Sequence, residues 1–153
     1  MTEAHLRRLL QKHVVGPHWS VIESPLTRRG LPDLTGCYHG VDIWLELKIS
    51  TGWQVRKSTS SVTQVVWHEA RRAAGGQSFY LIEKDHADAW GYALYLLDSL
   101  FARDLLTRPF VELPHVHFIF GHRGNEAVWD DLQRWLFTPD YWPLLRTHHP
   151  GQP

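Results

Sequence analysis

Cysteine is almost absent from this chain of 153 residues: Cys37 stands alone, so no internal disulfide can form and a secreted, disulfide-stapled framework is excluded. Long apolar runs are missing as well. No stretch approaches the roughly 20 apolar residues of a membrane span, and the beginning Met1-Thr2-Glu3 opens no signal-peptide core. A cytoplasmic address is therefore expected. Net charge is zero, with 16 basic and 16 acidic residues. A strongly basic chain of the kind that grips long duplexes without specificity is not what this composition describes. The charge is unevenly spread, however. Residues 1–80 hold ten Lys/Arg and six Asp/Glu, and residues 81–153 hold six and ten. The N-terminal part is the half suited to a polyanion.

What is abundant is aromatic: eight Trp, six Phe and five Tyr. Such a load builds a core and a large interface, or stacks on nucleotides. Length alone allows one domain with an ordinary core.

Apolar spacing predicts a helix over 3–13, with Leu6, Leu9, Leu10 and His13 inward. Strands follow at 19–22 and 34–38, separated by a loop over 25–32. A turn at His39-Gly40 leads to the clearest strand, 41–50. There Val41, Ile43, Leu45, Leu47 and Ile49 share one face, and Asp42, Trp44, Glu46 and Lys48 the other. One apolar and one ionisable face describe a strand that is buried on one side and lines a cleft on the other. Ser60 or Ser61 caps a helix to about Ala74, with Val62, Val65, Val66, Glu69 and Ala73 on one side and Gln64, His68, Arg71 and Arg72 on another. Gly75-Gly76 stops it, and a buried strand follows at 79–82, giving a parallel strand–helix–strand unit. Further on, 89–97 reads as helix or strand, 101–106 as helix, 116–120 as strand and 125–137 as a helix packing Val128, Leu132, Trp135 and Leu136 inward. The Pro-rich tail from Pro139 is read as a wrap-around segment with a frayed end.

The chemistry concentrates in Gly30-Leu31-Pro32-Asp33 and, thirteen residues after Asp33, Glu46-Leu47-Lys48. Two carboxylates and a lysine at the start of a sheet suit a divalent-metal site that cuts phosphodiesters. Mg²⁺ takes carboxylate and backbone oxygens and keeps several waters, so Asp33, Glu46 and the Leu47 carbonyl are candidate ligands. Lys48 leaves the same strand face as Glu46 and can position water and neutralise phosphate charge. Gln64 can orient water, a phosphate or Lys48, and His68 and Arg71, in register beyond it, are candidate nucleic-acid contacts, with partial burial the equal alternative for His68. Arg28, Arg29, Arg56 and Lys57 are candidate phosphate clamps on the flanking loops. Singly, Asp33 reads as a turn former and Glu46 with Lys48 as a surface pair. The ordered combination favours catalysis. A second cluster, His115, His117, His122, His148 and His149, contains zinc-competent imidazoles but no tight ligand quartet.

These residues resemble the PD-(D/E)XK nuclease superfamily. Gly-Leu-Pro-Asp, then Glu-Leu-Lys, then Gln64-Val65-Val66-Trp67 with Gly75-Gly76 is most similar to its VRR-NUC branch, itself similar to archaeal and phage Holliday-junction resolvases. The resemblance covers residues 1–84, with 85–153 an extension that completes a single domain or forms an oligomer interface. It implies an α/β fold, a restriction-endonuclease-like mixed central sheet flanked by helices. It implies Mg²⁺ dependence with Mn²⁺ as substitute, Asp33, Glu46, Lys48 and Gln64 as catalytic residues, and a DNA substrate. An added acidic ligand from the first helix would be Glu3, with Glu23 as alternative. A phage-type enzyme would work in host cytoplasm, and a resolvase would need the two active centres of a homodimer. The resulting expectation is a junction- or branch-selective endonuclease. Its alternatives are a nicking or restriction-like duplex nuclease and an inactive nucleic-acid-binding module.

Overall fold

The computed structural model describes residues 1–22, 30–56, 61–86, 91–120 and 126–150. Glu23, Arg28, Arg29, Lys57, Ser60 and His122 lie outside the described residues, and so does the expected loop apart from its last residues.

A six-stranded sheet of order β1-β2-β3-β4-β5-β6 forms the centre. Its strands are β1 (His18–Val21), β2 (Leu34–Tyr38), β3 (Val41–Ser50), β4 (Ser78–His86), β5 (Gly91–Asp98) and β6 (Val116–Phe120). Only β3 and β4 pair in parallel, and all other neighbours are antiparallel. The helices are α1 (Glu3–His13), α2 (Ser61–Ala73), α3 (Glu126–Phe137) and the short α4 (Trp142–Leu145). This is the mixed sheet flanked by helices expected from the sequence. The parallel pair arises because β3 and β4 are joined through α2, which returns the chain to the same end of the sheet.

Each face carries its own core. On one, Leu6 and Leu10 of α1 and Leu132 and Leu136 of α3 pack on Leu45, Leu47, Phe79 and Leu81. On the other, Val65 of α2 packs with Tyr80, Ile82, Tyr95, Leu105 and Phe110. Thr2 starts α1 by accepting a hydrogen bond from the His5 amide at 3.2 Å, with Glu3 in the first turn where the helix dipole favours an acid.

Residues 91–98, within the stretch read as helix or strand, are strand, and both faces of that strand are covered, which removed the alternation that distinguishes a strand from a helix. The expected helix over 101–106 is instead a series of 3₁₀ turns, Ser99–Phe101, Asp104–Leu106 and Phe110–Glu112. Val62 and Val66 of α2 face solvent, at 56% and 53% exposure, while Ser61, Val65 and His68 face the sheet. The tail is packed further than expected: Leu145 is fully buried and the His115 amide donates to the His148 carbonyl at 2.9 Å. It is anchored through Asp98, a fully buried carboxylate that binds Arg146 at 3.1 Å and Arg72 at 3.2 Å. Residues 151–153 lie outside the described residues.

Candidate active site

The site exists because β2 is shorter than β3. The β2–β3 ladder ends at Leu34↔Leu45, so β3 continues through Glu46, Leu47 and Lys48 with β4 as its only strand partner among the described residues. Asp33 sits at the step. Its carbonyl accepts the Ile22 amide at 3.0 Å, and its carboxylate Oδ2 accepts the Leu47 amide at 2.7 Å. The carboxylate thus replaces the next rung of the ladder. In a strand the N–H and C=O of one residue leave on the same side, so the Leu47 carbonyl faces the Asp33 side too. The Leu47 side chain points the other way, into the core.

Gly30 explains the start of the motif. Its φ is +89°, and a Cβ there would meet the Thr63 carbonyl oxygen at 2.5 Å. The loop leading to Asp33 therefore lies directly against the first turn of α2. That turn carries Gln64.

Glu46 is the centre of the arrangement, 1% exposed on the face of β3 beneath α2. One carboxylate oxygen, Oε1, accepts from Lys48 Nζ at 2.6 Å and from Gln64 Nε2 at 2.7 Å. The other, Oε2, is buried and has no hydrogen-bond partner among the described residues. Burial, then the nearby Asp33 and Glu3 charges, push the Glu46 carboxyl up to about 8 despite Lys48. Asp33 is raised by burial, partly offset by the Leu47 amide, Lys48 and Arg7. Glu3 is also raised by burial, with Lys48 opposing and Asp33 adding to the effect. For Lys48, burial works against the ammonium, but Glu46, Glu3 and Asp33 outweigh it and hold the group above its ordinary value. Three carboxyls and a lysine thus feel one another's charge.

The other expected residues divide. Arg56 is exposed and shares the wall of a small cavity with Lys48, Gln64 and Tyr80. Arg71 lies over Trp44 and Trp67. His68, expected to reach phosphate, is fully buried and turned to the sheet, its Nδ1 2.8 Å from Ser78 Oγ; burial, then Lys48, lowers its pKa to about 3. Two neighbours escaped the sequence reading. Tyr80 is paired opposite Glu46 in β4, and Arg7 is close enough to act on Asp33. His115, His117, His148 and His149 do approach one another, but on the far edge of the sheet at β6. His117 and His148 line a cavity of about 460 Å³ there with Arg134, Trp135 and Tyr141.

Among the described residues, no group of three or more His, Cys, Asp or Glu side chains gathers closely enough to hold a metal. Mg²⁺ does not require such a cage, since it binds through one or two carboxylates and keeps water. The bare, buried Glu46 Oε2 beside a second raised carboxyl is the feature that fits a hard dication.

The shifts fix how metal-free stability depends on pH. A carboxyl whose pKa is higher folded than unfolded binds protons preferentially in the folded state, so its contribution falls as pH rises. For Glu46 the window runs from 4.5 to about 8. His68 has the opposite sign: the unfolded chain protonates near 6.5, so stability falls as pH drops below that value. The two slopes oppose each other up to pH 6.5, and Glu46 acts without that opposition above it. Thermal melts in EDTA are expected to show a loss of ~2 kcal/mol between pH 6.5 and 8, or roughly 4–8 °C. A flat or rising trend would overturn this account of Glu46.

The 1.6 Å structure of Hjc, a Holliday junction resolvase from the archaeal hyperthermophile Archaeoglobus fulgidus, is similar over 65% of this chain and 75% of its own, at 17% identity and a TM-score of 0.45. No family model matches the chain, and no curated protein matches it. No helix among the described residues is long and apolar enough to cross a membrane.

Proposed function

We propose that this chain is a divalent-metal-dependent nuclease of PD-(D/E)XK type that hydrolyses phosphodiester bonds in DNA, with branched or junction DNA as its preferred substrate. The observation that carries the reading is Glu46: buried, with one oxygen held by Lys48 and Gln64 and the other bare, beside Asp33 at the step of the sheet.

Glu46 and Asp33 would hold Mg²⁺ or Mn²⁺ together with the Leu47 carbonyl, and Glu3 stands close enough to add charge. The ion, when bound, lowers the pKa of water and neutralises charge developing on phosphoryl oxygens. Gln64 fixes the rotation of the Glu46 carboxylate, so the free oxygen faces away from α2's amide. Lys48 stays protonated and offers its ammonium to the scissile phosphate or to the attacking water. Arg56 stands on the strand-to-helix connection, where it can meet a neighbouring phosphate. Symmetric cutting of a junction requires two such centres, which a twofold homodimer supplies. A cytoplasmic setting suits a substrate of this kind.

The test uses purified wild-type protein on labelled four-way-junction, flap, duplex and single-stranded DNA, with EDTA, Mg²⁺ or Mn²⁺. Cleavage that requires metal supports nuclease chemistry, and the order of rates assigns the substrate class. DNA binding without cutting in any reaction would replace this reading with that of a binding module.

A further inference from the structure

Beside Glu46 on the same face of β3, two residues back along the strand, lies Trp44. Three residues after Gln64 on α2, Trp67 meets it, with ring centroids 5.1 Å apart. The helix runs back along the strand, so one pair of contacts, Gln64 with Glu46, is followed by a second, Trp67 with Trp44. One turn further, the Arg71 guanidinium sits over both rings, 5.4 Å from the Trp44 centroid and 5.9 Å from that of Trp67. Gly76 holds it from behind: a Cβ there would meet Arg71 Nε at 2.5 Å. Arg71 Nε is buried and without a partner, and no carboxylate among the described residues pairs with this guanidinium. The neighbouring cation of α2 differs: Arg72 is neutralised by Asp98. Past Trp44 the same face continues over β2 and β1 through Thr35, Ser20, Cys37 and His18, residues paired in register and only partly buried or exposed.

A planar cation without a counter-ion among the described residues, resting on two half-buried indoles and about 10 Å along α2 from Gln64, has a defined complement. It is a flat π system joined to an anion. Nucleotides have both, and their bases stack equally on aromatic rings and on guanidinium planes. Bases inside a continuous duplex are stacked on each other and offer edges rather than faces. We propose that Trp44, Trp67 and Arg71 form a stacking site for one unpaired nucleotide of the strand being cut. This rests on the nucleic-acid substrate proposed above and narrows it to DNA with a single-stranded segment one or two nucleotides from the scissile phosphate. The alternative is that the three side chains only brace α2 against β3.

The experiment is done in EDTA, where no cutting occurs. Probes are a continuous duplex and a duplex with a short single-stranded arm carrying 2-aminopurine, whose emission is quenched by stacking, at the first, second or third unpaired position. Wild type is expected to bind the arm-bearing probe more tightly and to quench the base at one position. In Arg71→Lys the charge stays and the plane is lost, so the quench should disappear and the arm-over-duplex affinity ratio should fall about ten-fold. Trp67→Leu should behave alike, and Arg71→Lys decides the matter if that variant does not fold. Unchanged emission on wild-type binding, or full retention of the ratio in Arg71→Lys, would overturn the proposal. Quenching without metal-dependent cleavage in the earlier assay would remove the nuclease reading and leave this site standing. Cleavage without quenching would do the reverse.

Discussion

Glu46→Gln is expected to slow metal-dependent cleavage by about a thousand-fold or more, the cost of several kcal/mol of charge stabilisation at the reacting phosphate. The substitution is nearly isosteric. The amide oxygen can still accept from Lys48 and Gln64, so the local packing of α2 on β3 is kept. What disappears is the negative charge and the bare oxygen. Two independent readouts follow. Calorimetric Mn²⁺ binding should weaken strongly, and the fall in metal-free stability between pH 6.5 and 8 should flatten, because the group that titrates across that window is gone. A loss of activity below ten-fold with Mn²⁺ affinity unchanged would show that Glu46 only supports the fold.

Gly30→Ala should be the most damaging single methyl group in the site. It costs on two counts. At φ +89° an L side chain is strained by about 1–2 kcal/mol, and the added carbon lands 2.5 Å from the Thr63 carbonyl oxygen and 2.8 Å from its carbon. Backbone cannot swing aside as a side chain can, so the loop and the first turn of α2 must separate. A total of about 3 kcal/mol is expected, or a melting temperature lower by roughly 6–12 °C. Activity should fall even where the variant is fully folded, because the same movement shifts Asp33 relative to Gln64. Gly40→Ala is the control: φ there is +77°, and a Cβ would meet nothing within 4 Å. Equal destabilisation by the two substitutions would mean that the Thr63 contact carries no weight.

The contrast between β3 and α2 shows what the sequence could reveal. In β3 the alternation of apolar and ionisable residues carried both the strand and the face that holds Glu46 and Lys48, because one side is wholly apolar and the other sets its ionisable residues beneath α2. In α2 apolar spacing grouped Val62 and Val66 with Val65 and did not separate the buried valine from the exposed ones, because the helix rotation is set by Gln64 reaching Glu46 and by His68 reaching Ser78. Those two polar contacts force Val62 and Val66 outward. The Asp33–Leu47 bond was equally hidden, since a side chain closing a ladder has no periodic signature. Its only trace was Pro32-Asp33 directly before a strand. The Trp44–Trp67–Arg71 group did leave a signal in Trp44 sharing the parity of Glu46 and in the four-residue spacing of Trp67 and Arg71. Neither pattern identifies a contact between strand and helix.

Leu47 belongs to two worlds at once. Its side chain is gripped by the hydrocarbon interior, while its peptide group stands at the open step beside Asp33. Substitution scanning tests side chains and would score this residue as a packing position, blind to the carbonyl. Any loosening of the interior under β3, for instance at Leu6 or Leu132, is transmitted to that oxygen without a single polar group being touched. Variation far from the carboxylates can therefore retune the proposed site, and a backbone ester at position 47 or 48, rather than another side chain, is the change that would separate the two duties.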